Sequence, residues 1–417
     1  MHANNMLEPA FPNDSQLVEL LEIEGDLRDA CARLTSQVGG ASREALRPLL
    51  RAMNSYYSNK IEGQHTYPAD LEAAIQRDFS ARHDVRRRQE LALAHMRLEA
   101  DLESVVREKS WKEQFSREWI CSIHDGLYSQ LHDDFKVILD QEGNERGILV
   151  PGEVRDIEVV VKNHVAPPKE MLDPLFQHFS FRYGIENANK SRKIIIAGAS
   201  MHRLSWIHPF ADGNGRVSRL HNHLLLTHLG LTDGLWSPMR GLARKQADYY
   251  QALGEADQRR RNDTDGRGNL SSSGLAGFIR FWLEVCLDQV QFISGLLAFD
   301  TLEHRYVSLG LQIAHDFGRN MMHHRSKLRP ELLGRAMHRL FEKGKLERSE
   351  FKAIIDASDR TASRVISQLL ELKLVKSASR VGPLEPGLPF FSLRFLFPGL
   401  WPETEAIQPP QIKTTGL

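Results

Sequence analysis

The sequence of 417 residues carries 54 Lys and Arg against 54 Asp and Glu, so its formal net charge is zero. This length allows two or three domains around a large core, and the balanced charge excludes a global attraction to nucleic acids or membranes. The three cysteines lack metal-binding spacing, and neither a signal peptide nor a bilayer-spanning apolar run is present. These features predict a cytoplasmic protein with no membrane contact.

The N-terminal part of the chain is predicted to be helical after a short disordered start. Residues 1–15 contain Pro, Asn and Asp without periodicity and are predicted to be disordered. Apolar residues then recur at helical spacing over residues 16–110, the predicted N-terminal helical region. One helix of this region begins near Ser42 and ends at Gly63, because glycine commonly ends helices.

Residues 111–300 are predicted to form the core of the protein. Phe115–Leu131 has the spacing of an amphipathic helix, in which His124 is predicted to pack rather than to bind a ligand. Turn residues interrupt the helical pattern over residues 132–170. Within that interval Ile157–Val161 is the predicted strand of a small surface hairpin.

A tight turn between two helices carries the densest group of chemically active residues. The turn, His208-Pro-Phe-Ala-Asp-Gly-Asn-Gly-Arg-Val-Ser-Arg219, follows the buried helix predicted for Ile194–Met201 and leads into the helix predicted for Val217–Leu229. The first N–H groups of a helix lack partners and lie at the positive end of its dipole. Gly213 and Gly215 have no side chain, so an anion can approach these groups closely.

Four other residues of the turn extend this chemistry. Arg216 and Arg219 are three positions apart, so they share a helix face beside the same anion. Asp212 offers a hard oxygen ligand, suited to Mg²⁺ carried with phosphates. His208 titrates near neutral pH and is the candidate general base. One short turn therefore combines a base, a metal ligand and an anion site.

The turn matches the signature of the Fic family, His-x-Phe-x-Asp/Glu-Gly-Asn-Gly-Arg-x-x-Arg, at every position, and the chain resembles that family over roughly residues 40–300. The resemblance implies a mainly α protein, with a Fic-fold helical core and a small β-hairpin flap. It also implies a protein adenylyltransferase, which moves AMP from ATP to a Ser, Thr or Tyr hydroxyl of a protein substrate, including the enzyme itself. ATP and Mg²⁺ are the implied cofactors.

The resemblance also implies a role for each residue of the signature. His208 would be the catalytic base, and Asp212 would hold the metal ion. Tyr249 and Tyr250 would help to form the pocket for the nucleotide base. The remaining implied ligands, which would bind the phosphates of ATP, are Gly213, Asn214, Gly215, Arg216 and Arg219.

A second stretch resembles the inhibitory helix of one class of Fic proteins. Taken alone, Ser58-Asn-Lys-Ile-Glu-Gly63 is an ordinary helix end, but it fits the family pattern Ser/Thr-x-x-x-Glu-Gly/Asn. The resemblance implies that Glu62 pairs with Arg219 and occupies the space of the ATP γ-phosphate. The chemistry is sound, because a carboxylate forms a bidentate fork with a guanidinium and excludes a second anion. By the same resemblance, the hairpin that ends at His164 would hold the backbone of the target.

The C-terminal part is predicted to hold linker helices over residues 301–335, a winged helix over residues 336–401 and a disordered tail over residues 402–417. The stretch from residue 319 to residue 380 is basic, with 15 Lys and Arg against 7 Asp and Glu. Its predicted elements are the helices Glu347–Ile355 and Thr361–Leu372, and a wing framed by Val375 and Phe390–Phe395.

Two interpretations of this winged helix are open. Arg360, Ser363 and Arg364 lie on the second helix at positions that could enter a DNA major groove. The same fold could instead be a packing module or the interface of a homodimer, which the mild charge of the helix favours.

Three other functions compete with adenylyl transfer. A relative with the same signature could move another phosphate-containing group or remove AMP. The core could sense a nucleotide in a transcription regulator that binds DNA through the winged helix. A metal hydrolase that uses His202, His208 and His221 is the weakest rival, because no other ligand spacing supports it.

Overall fold

The computed structural model describes residues 3–139, 145–161, 164–320 and 328–401, and these residues are mainly α-helical. The helices of the first half are α1 (Ala3–Met6), α2 (Asp14–Gln37), α3 (Gly40–Ile61), α4 (Pro68–Ile75), α5 (His83–Val105), α6 (Arg117–Tyr128), α7 (Leu172–Tyr183) and α8 (Lys190–Ile207). Those of the second half are α9 (Asn214–His228), α10 (Met239–Arg244), α11 (Gln246–Asp257), α12 (Ser272–Leu296), α13 (Phe299–Asn320), α14 (Pro330–Lys343), α15 (Arg348–Ile355), α16 (Asp359–Glu371) and α17 (Phe390–Leu396).

The strands of the described residues form three short antiparallel pairs, so the predicted mainly α class is confirmed. The paired strands are β1 (Val137–Leu139) with β2 (Glu145–Ile148), β3 (Val160–Val161) with β4 (His164–Val165), and β5 (Val375–Lys376) with β6 (Glu385–Pro386). The strand predicted for residues 157–161 is wrong in extent, because only its last two residues pair. The β1–β2 pair was missed in a region that turn residues dominate.

Two compact units divide the chain differently from the predicted domains. Unit 1 comprises Met1–Ala32, Asn54–Thr66 and Ala73–Gln291. Unit 2 comprises Arg33–Met53, Tyr67–Glu72 and Phe292–Leu417. The predicted N-terminal region of residues 16–110 is therefore not a unit of its own, because α2, α3 and α4 each contribute residues to both units. The predicted end of the core near residue 300 lies close to the boundary at residue 291.

Helices α8 and α9 form the centre of unit 1, because they are buried on nearly every face and pack against each other. Every residue from Ile194 to Leu204 is buried. Asn222 of α9 joins three helices, since its amide nitrogen donates to the carbonyl of Ala197 at 2.8 Å and its oxygen accepts from the indole of Trp282 at 3.0 Å. A buried polar group satisfied on both sides fixes how these helices register against one another.

The predicted disorder of residues 1–15 is wrong for the residues described. Leu7 is fully buried, and the carboxylate of Glu8 contacts Nε2 of His178 at 2.8 Å and Nε of Arg182 at 2.7 Å. The hydroxyl of Tyr183 donates to the carbonyl of Ala10 at 2.8 Å. The segment lacks helical periodicity because much of it is irregular backbone held by side chains of α7. The apolar periodicity of the sequence could not distinguish this ordered, irregular segment from a disordered segment.

Unit 2 corrects two predictions about the C-terminal part. The stretch predicted as linker helices holds α13 and the start of α14, which pack closely along buried residues such as Leu309 and Leu333. A Cβ added at Gly310 would lie 2.8 Å from the backbone nitrogen of Gly334, so two glycines allow the helix backbones to touch. The predicted wing strand at Phe390–Phe395 is helix α17, which packs against α13.

The helices predicted for 347–355 and 361–372 are confirmed as α15 and α16. The winged-helix assignment stays a prediction, and the predicted tail, residues 402–417, lies outside the described residues. Among the described residues, no single helix is long and apolar enough to cross a membrane. The pair formed by α12 and the first part of α13 passes by length and composition but is bent by 58°.

Candidate functional site

The turn between α8 and α9 is locked by its own polar side chains. His208 ends α8 in the left-handed region, with φ 50°, and Gly213 adopts φ 82° before α9 begins. The amide of Asn214 accepts from the backbone nitrogen of Phe210 at 2.8 Å and donates to its carbonyl at 2.7 Å. A Cβ on Gly213 would collide with the Tyr128 ring, so this position needs glycine. The side chain of Asn214 thus shapes the turn, and only its backbone could meet a phosphate.

His124 supports the same turn from α6. Its ring stacks on Phe210, with centroids 4.0 Å apart and planes 2° apart. The backbone nitrogen of Gly152 donates to its Nδ1 at 2.9 Å, so Nε2 carries the hydrogen that bonds the carbonyl of Asp212 at 3.2 Å. Burial lowers the pKa of His124 to about 4, which agrees with this neutral tautomer. The prediction that His124 is a packing residue is confirmed by these contacts.

His208 faces a cavity as a neutral imidazole. Its Nδ1 lies 3.3 Å from the carbonyl oxygen of Ser205, which only accepts, so the hydrogen sits on Nδ1 and the lone pair on Nε2. Burial, reinforced by the nearby His164, lowers the pKa of His208 to about 4, so the prediction that His208 titrates near neutral pH is wrong. Arg155 fixes its backbone, with Nε donating to the His208 carbonyl at 2.8 Å. An imidazole held in this way can accept a proton at neutral pH.

The guanidinium of Arg219 is held by the end of α3. Its Nη2 lies 2.6 Å from Oε1 of Glu62 and 2.9 Å from the carbonyl of Ser58, while its Nε donates to the Ser58 hydroxyl at 3.1 Å. Burial alone would raise the pKa of Glu62, but the charges of Arg219 and Arg216 lower it below its ordinary value. The predicted contact between Glu62 and Arg219 is therefore present, with Glu62 as an anion. A Cβ on Gly215 would collide with Oε1 of Glu62, so glycine makes room for this pair.

Arg216 is buried and held by three side chains. Its Nε donates to Asn59 at 2.9 Å, its Nη1 to the Tyr128 hydroxyl at 2.7 Å and its Nη2 to Gln64 at 2.7 Å. Arg216 does not line the cavity beside the turn, unlike Arg219. The α3 end and the residues that follow it, 58–64, therefore hold both arginines of the turn. We call residues 58–64 the α3 cap segment.

A cavity of about 890 Å³ opens beside the turn within unit 1. Its lining brings together residues from the turn, the α3 cap segment, α11 and β4, including His208, Gly215, Arg219, Glu62, Tyr249 and Tyr250. The rings of Tyr249 and Tyr250 stack with centroids 5.8 Å apart. The Tyr250 hydroxyl donates to the carbonyl of Ile61 at 3.0 Å, so this ring also holds the α3 cap segment.

The β3–β4 pair reaches the cavity through His164. Oδ2 of Asp257 lies 3.2 Å from Nδ1 of His164, and its Oδ1 lies 3.1 Å from Nε2 of His202. Burial would raise the pKa of Asp257, but the two imidazoles lower it well below its usual range. The His164 ring lies 6.2 Å from that of His208, so the end of the strand pair lines the cavity beside His208.

The two proposed metal sites, Asp212 and the set of three histidines, differ in how well the structure suits them to an ion. Asp212 is half exposed and accepts the Gly213 amide on Oδ1 at 2.6 Å, while its Oδ2 bonds no described residue. This carboxylate fits Mg²⁺ carried with phosphates. The rival zinc set fails, because the structure does not bring ligand atoms of His202, His208 and His221 within 4.8 Å of one another.

Several residues that shape the site were missed in the sequence. Asn59, Gln64 and Tyr128 hold Arg216, and Arg155 and Asp257 steady the residues around His208. Asn59 lies inside the inhibitory pattern and could have been found there. The others have no local signal, because each comes from a distant element.

Fold and site define a mainly α-helical protein with a cavity beside a helix start, lined by His208, Gly215 and Arg219. Residues 114–226 match the model of the Fic/DOC family. Residues 114–226 of the chain are thus a Fic/DOC domain.

Similar proteins carry matching names. The chain is 32% identical over 139 residues to the protein adenylyltransferase Fic of Drosophila grimshawi, covering 33% of this chain and 28% of that protein. It is 34% identical over 108 residues to the protein of that name from Aedes aegypti, covering 26% and 21%. The chain thus spans less than a third of the length of these curated relatives.

Two solved structures are similar in backbone. A Fic family protein from Desulfovibrio desulfuricans G20 is 17% identical, with 91% of this chain and 98% of that chain covered and a TM-score of 0.48. Fic-1 from C. elegans is 18% identical, with coverages of 66% and 71% and a TM-score of 0.46.

Proposed function

We propose that this chain is a protein adenylyltransferase, which transfers AMP from ATP to a Ser, Thr or Tyr hydroxyl of a protein. The observation that carries the proposal is the shared cavity, which joins a neutral His208, the amide end of α9 and the guanidinium of Arg219. The names of the relatives support the nucleotide. Both tyrosines, Tyr249 and Tyr250, line the same cavity and would contact the adenine ring.

The phosphates of ATP would bind at the start of α9. The backbone of Gly213, Asn214 and Gly215 supplies N–H groups at the positive end of the helix. Arg219 would contact the terminal phosphate once Glu62 leaves it. Arg216 would stay beside the phosphates or reach them when Asn59 and Gln64 release it. Asp212 would hold Mg²⁺, and the ion would supply neutralisation of phosphate charge.

The reaction would proceed by in-line displacement at the α-phosphorus. Nε2 of His208 accepts the proton of the target hydroxyl as its oxygen forms a bond to the α-phosphorus. The bond between the α-phosphorus and the bridging oxygen breaks, and pyrophosphate leaves. A phosphodiester to AMP remains on the target. The protein contributes mainly position and charge, as in other phosphate transfers.

We further propose that Glu62 inhibits this reaction. The carboxylate sits on Arg219 and directly over Gly215, where an incoming anion would otherwise bind. Two anions cannot share one guanidinium without strong repulsion, so ATP would bind in a pose unsuited to attack. The other contacts of the α3 cap segment, to Arg216 and from Tyr250, hold Glu62 in place.

Paired isotope labels test the proposed reaction. A Glu62→Gly variant should move label from α-labelled ATP, but not from γ-labelled ATP, into proteins of a lysate. A second substitution, His208→Ala, in the Glu62→Gly variant should abolish that transfer. Transfer of the γ-label would contradict adenylyl transfer and favour phosphoryl transfer. Preference for another nucleotide in a panel, or release of AMP from a modified protein, would favour the alternative Fic activities.

A DNA-binding regulator is the second candidate function. The observation that favours it is α16, which follows α15 after a short turn and exposes Arg360, Ser363 and Arg364. Basic and hydroxyl side chains on a second helix are what major-groove binding requires. A footprint on the promoter of the protein's own gene, weakening steeply with salt, would support it. DNA binding that is independent of base sequence and unchanged by an Arg364→Ala substitution would exclude this function.

A further inference from the structure

A buried cluster of carboxylates and an imidazole lies where α5 packs against α9. We call Glu99, Glu103 and His223 the α5–α9 cluster. Nε2 of His223 lies 3.1 Å from Oε1 of Glu103 and 3.5 Å from Oε1 of Glu99. The three side chains are 6% exposed or less, and a ligand atom from each lies within 4.8 Å of the others. None of them belongs to the cavity beside the turn.

The spacing of these atoms suits one small metal ion. Zinc binds imidazole nitrogen and carboxylate oxygen at about 2.0–2.2 Å. Tetrahedral ligands at that bond length are separated by about 3.4 Å. The two distances to His223 bracket this value.

A further donor, His95, stands beside the cluster, outside the set of ligand atoms that all lie within 4.8 Å of one another. His95 precedes Glu99 by one turn of α5, is fully buried, and has Nδ1 3.5 Å from Oε2 of Glu99. Neither ring nitrogen of His95 hydrogen-bonds another described residue. A buried imidazole whose nitrogens make no hydrogen bond lowers the stability of the folded protein. A metal bond to one of the two nitrogens would give that nitrogen a partner.

One carboxylate of the cluster is already oriented from outside. The amide nitrogen of Asn54 donates to Oε1 of Glu99 at 2.7 Å, and the oxygen of Asn54 accepts from the hydroxyl of Ser237. Outer hydrogen bonds of this kind fix the direction of a metal ligand.

We propose that the α5–α9 cluster binds one divalent transition metal ion, for which zinc is the best chemical match, and that the side chain of His95 turns in as the fourth ligand. All four donors are neutral imidazole or carboxylate, the ligands that first-row divalent metals accept. His223 follows Arg219 by one turn of α9, so the ion would tie the helix that carries both arginines to α5. The role is structural, because the donor set is enclosed.

The alternative is that the α5–α9 cluster holds an additional proton in place of a metal ion. His223 as an imidazolium between Glu99 and Glu103 would form an ion triple with the same distances and no metal. Metal binding separates the two, since an ion triple gains nothing from added zinc.

The test uses full-length protein stripped with a chelator and titrated with Zn²⁺ alone. About one ion should bind per chain and raise the melting temperature, and Co²⁺ in its place should give the intense visible absorption of four-coordinate cobalt. His223→Gln should weaken zinc binding at least tenfold to a hundredfold. The matched control is His221→Gln, another buried histidine of α9 outside the cluster, which should keep wild-type affinity.

Each other outcome overturns the proposal. Wild-type protein that binds no stoichiometric Zn²⁺ and gives no four-coordinate Co²⁺ spectrum contains the ion triple instead. Equal zinc affinity in the His223→Gln and His221→Gln variants would place the ion elsewhere. If His223→Gln fails to fold, Glu103→Gln, at the edge of the cluster, replaces it in the comparison.

Discussion

Oε1 of Glu62 lies 2.6 Å from Nη2 of Arg219, and the same α3 cap segment holds Arg216 through Asn59 and Gln64. Both cationic groups of the turn are thus bound to one short segment of the chain. A nucleotide must compete with that segment for Arg219. The inhibition proposed for Glu62 follows from this single competition.

Arg216→Lys should lower ATP affinity and transfer rate together in a Glu62→Gly background. A lysine cannot reproduce three divergent hydrogen bonds to Asn59, Tyr128 and Gln64. At least one buried partner would stay unsatisfied, at a cost of roughly 1–3 kcal/mol in the free energy of unfolding. Isothermal titration with ATP, kinetics and urea unfolding measure the three effects. Unchanged kinetics in a stably folded Lys variant would remove Arg216 from the phosphate site.

The transfer rate should stay constant from neutral pH down to about pH 5 and fall as the pH approaches 4. The pKa of His208 is lowered by burial to about 4, so the imidazole stays a base throughout that range. The rate is measured against pH with labelled ATP in the Glu62→Gly protein, and His208→Ala gives the background. A midpoint near pH 6.5 would show that His208 titrates as an ordinary exposed histidine. Appreciable activity in His208→Ala would assign the base to another group.

The sequence was sufficient where chemistry is local. The turn from His208 to Arg219 predicted two helices and two arginines on one face of the second helix, because neighbouring residues determine these features. The contact of Glu62 with Arg219 came from the family resemblance and not from spacing, since 157 positions separate the two.

The parts of the fold that the sequence predicted wrongly depend on contacts between distant segments. The irregular chain around Glu8 is ordered by α7, and Phe390–Leu396 forms a helix because it packs on α13 rather than beside a strand. The pairing of α13 with α14 depends on where Gly310 and Gly334 meet in space. No short stretch of the sequence contains both partners of these contacts. The sequence pattern therefore predicted disorder around Glu8, a wing strand at Phe390–Phe395 and linker helices where α13 and α14 pack.

Acidification should destabilise the protein partly through His221. Burial lowers its pKa from 6.5 to about 4, so between those values the unfolded chain binds the proton and the folded chain does not. Its contribution is complete above pH 6.5 and is lost as the pH falls towards 4, with roughly 2 kcal/mol gone between pH 7 and pH 5. His221→Gln should unfold in urea with a smaller pH dependence than wild type. Identical pH dependence in the two proteins would refute this assignment.

Gly334→Ala should destabilise the protein through unit 2. An added Cβ would collide with the backbone of Val307 on α13, and helix backbones cannot yield as side chains do. The expected cost is about 1–3 kcal/mol. Gly295→Ala is the control, since a Cβ there meets nothing within 4 Å and should stabilise α12 by up to about 1 kcal/mol. Chemical unfolding of both variants measures this, and equal stabilities would contradict the close approach of α13 and α14.

The most direct test of the account is the incorporation of α-labelled ATP by wild-type protein and by Glu62→Gly, at matched folded fraction with Mg²⁺ and ATP in excess. The substitution frees Arg219 and the space over Gly215, and a misplacement of about 1 Å can cost roughly a hundredfold in rate, so self-labelling should rise by about that factor. Glu44→Gly changes an exposed glutamate of α3, the helix that Glu62 follows, so it controls for a Glu→Gly change in this part of the chain and should label like wild type. Equal labelling by wild type and Glu62→Gly would contradict autoinhibition and leave Glu62 as an ordinary helix-end carboxylate.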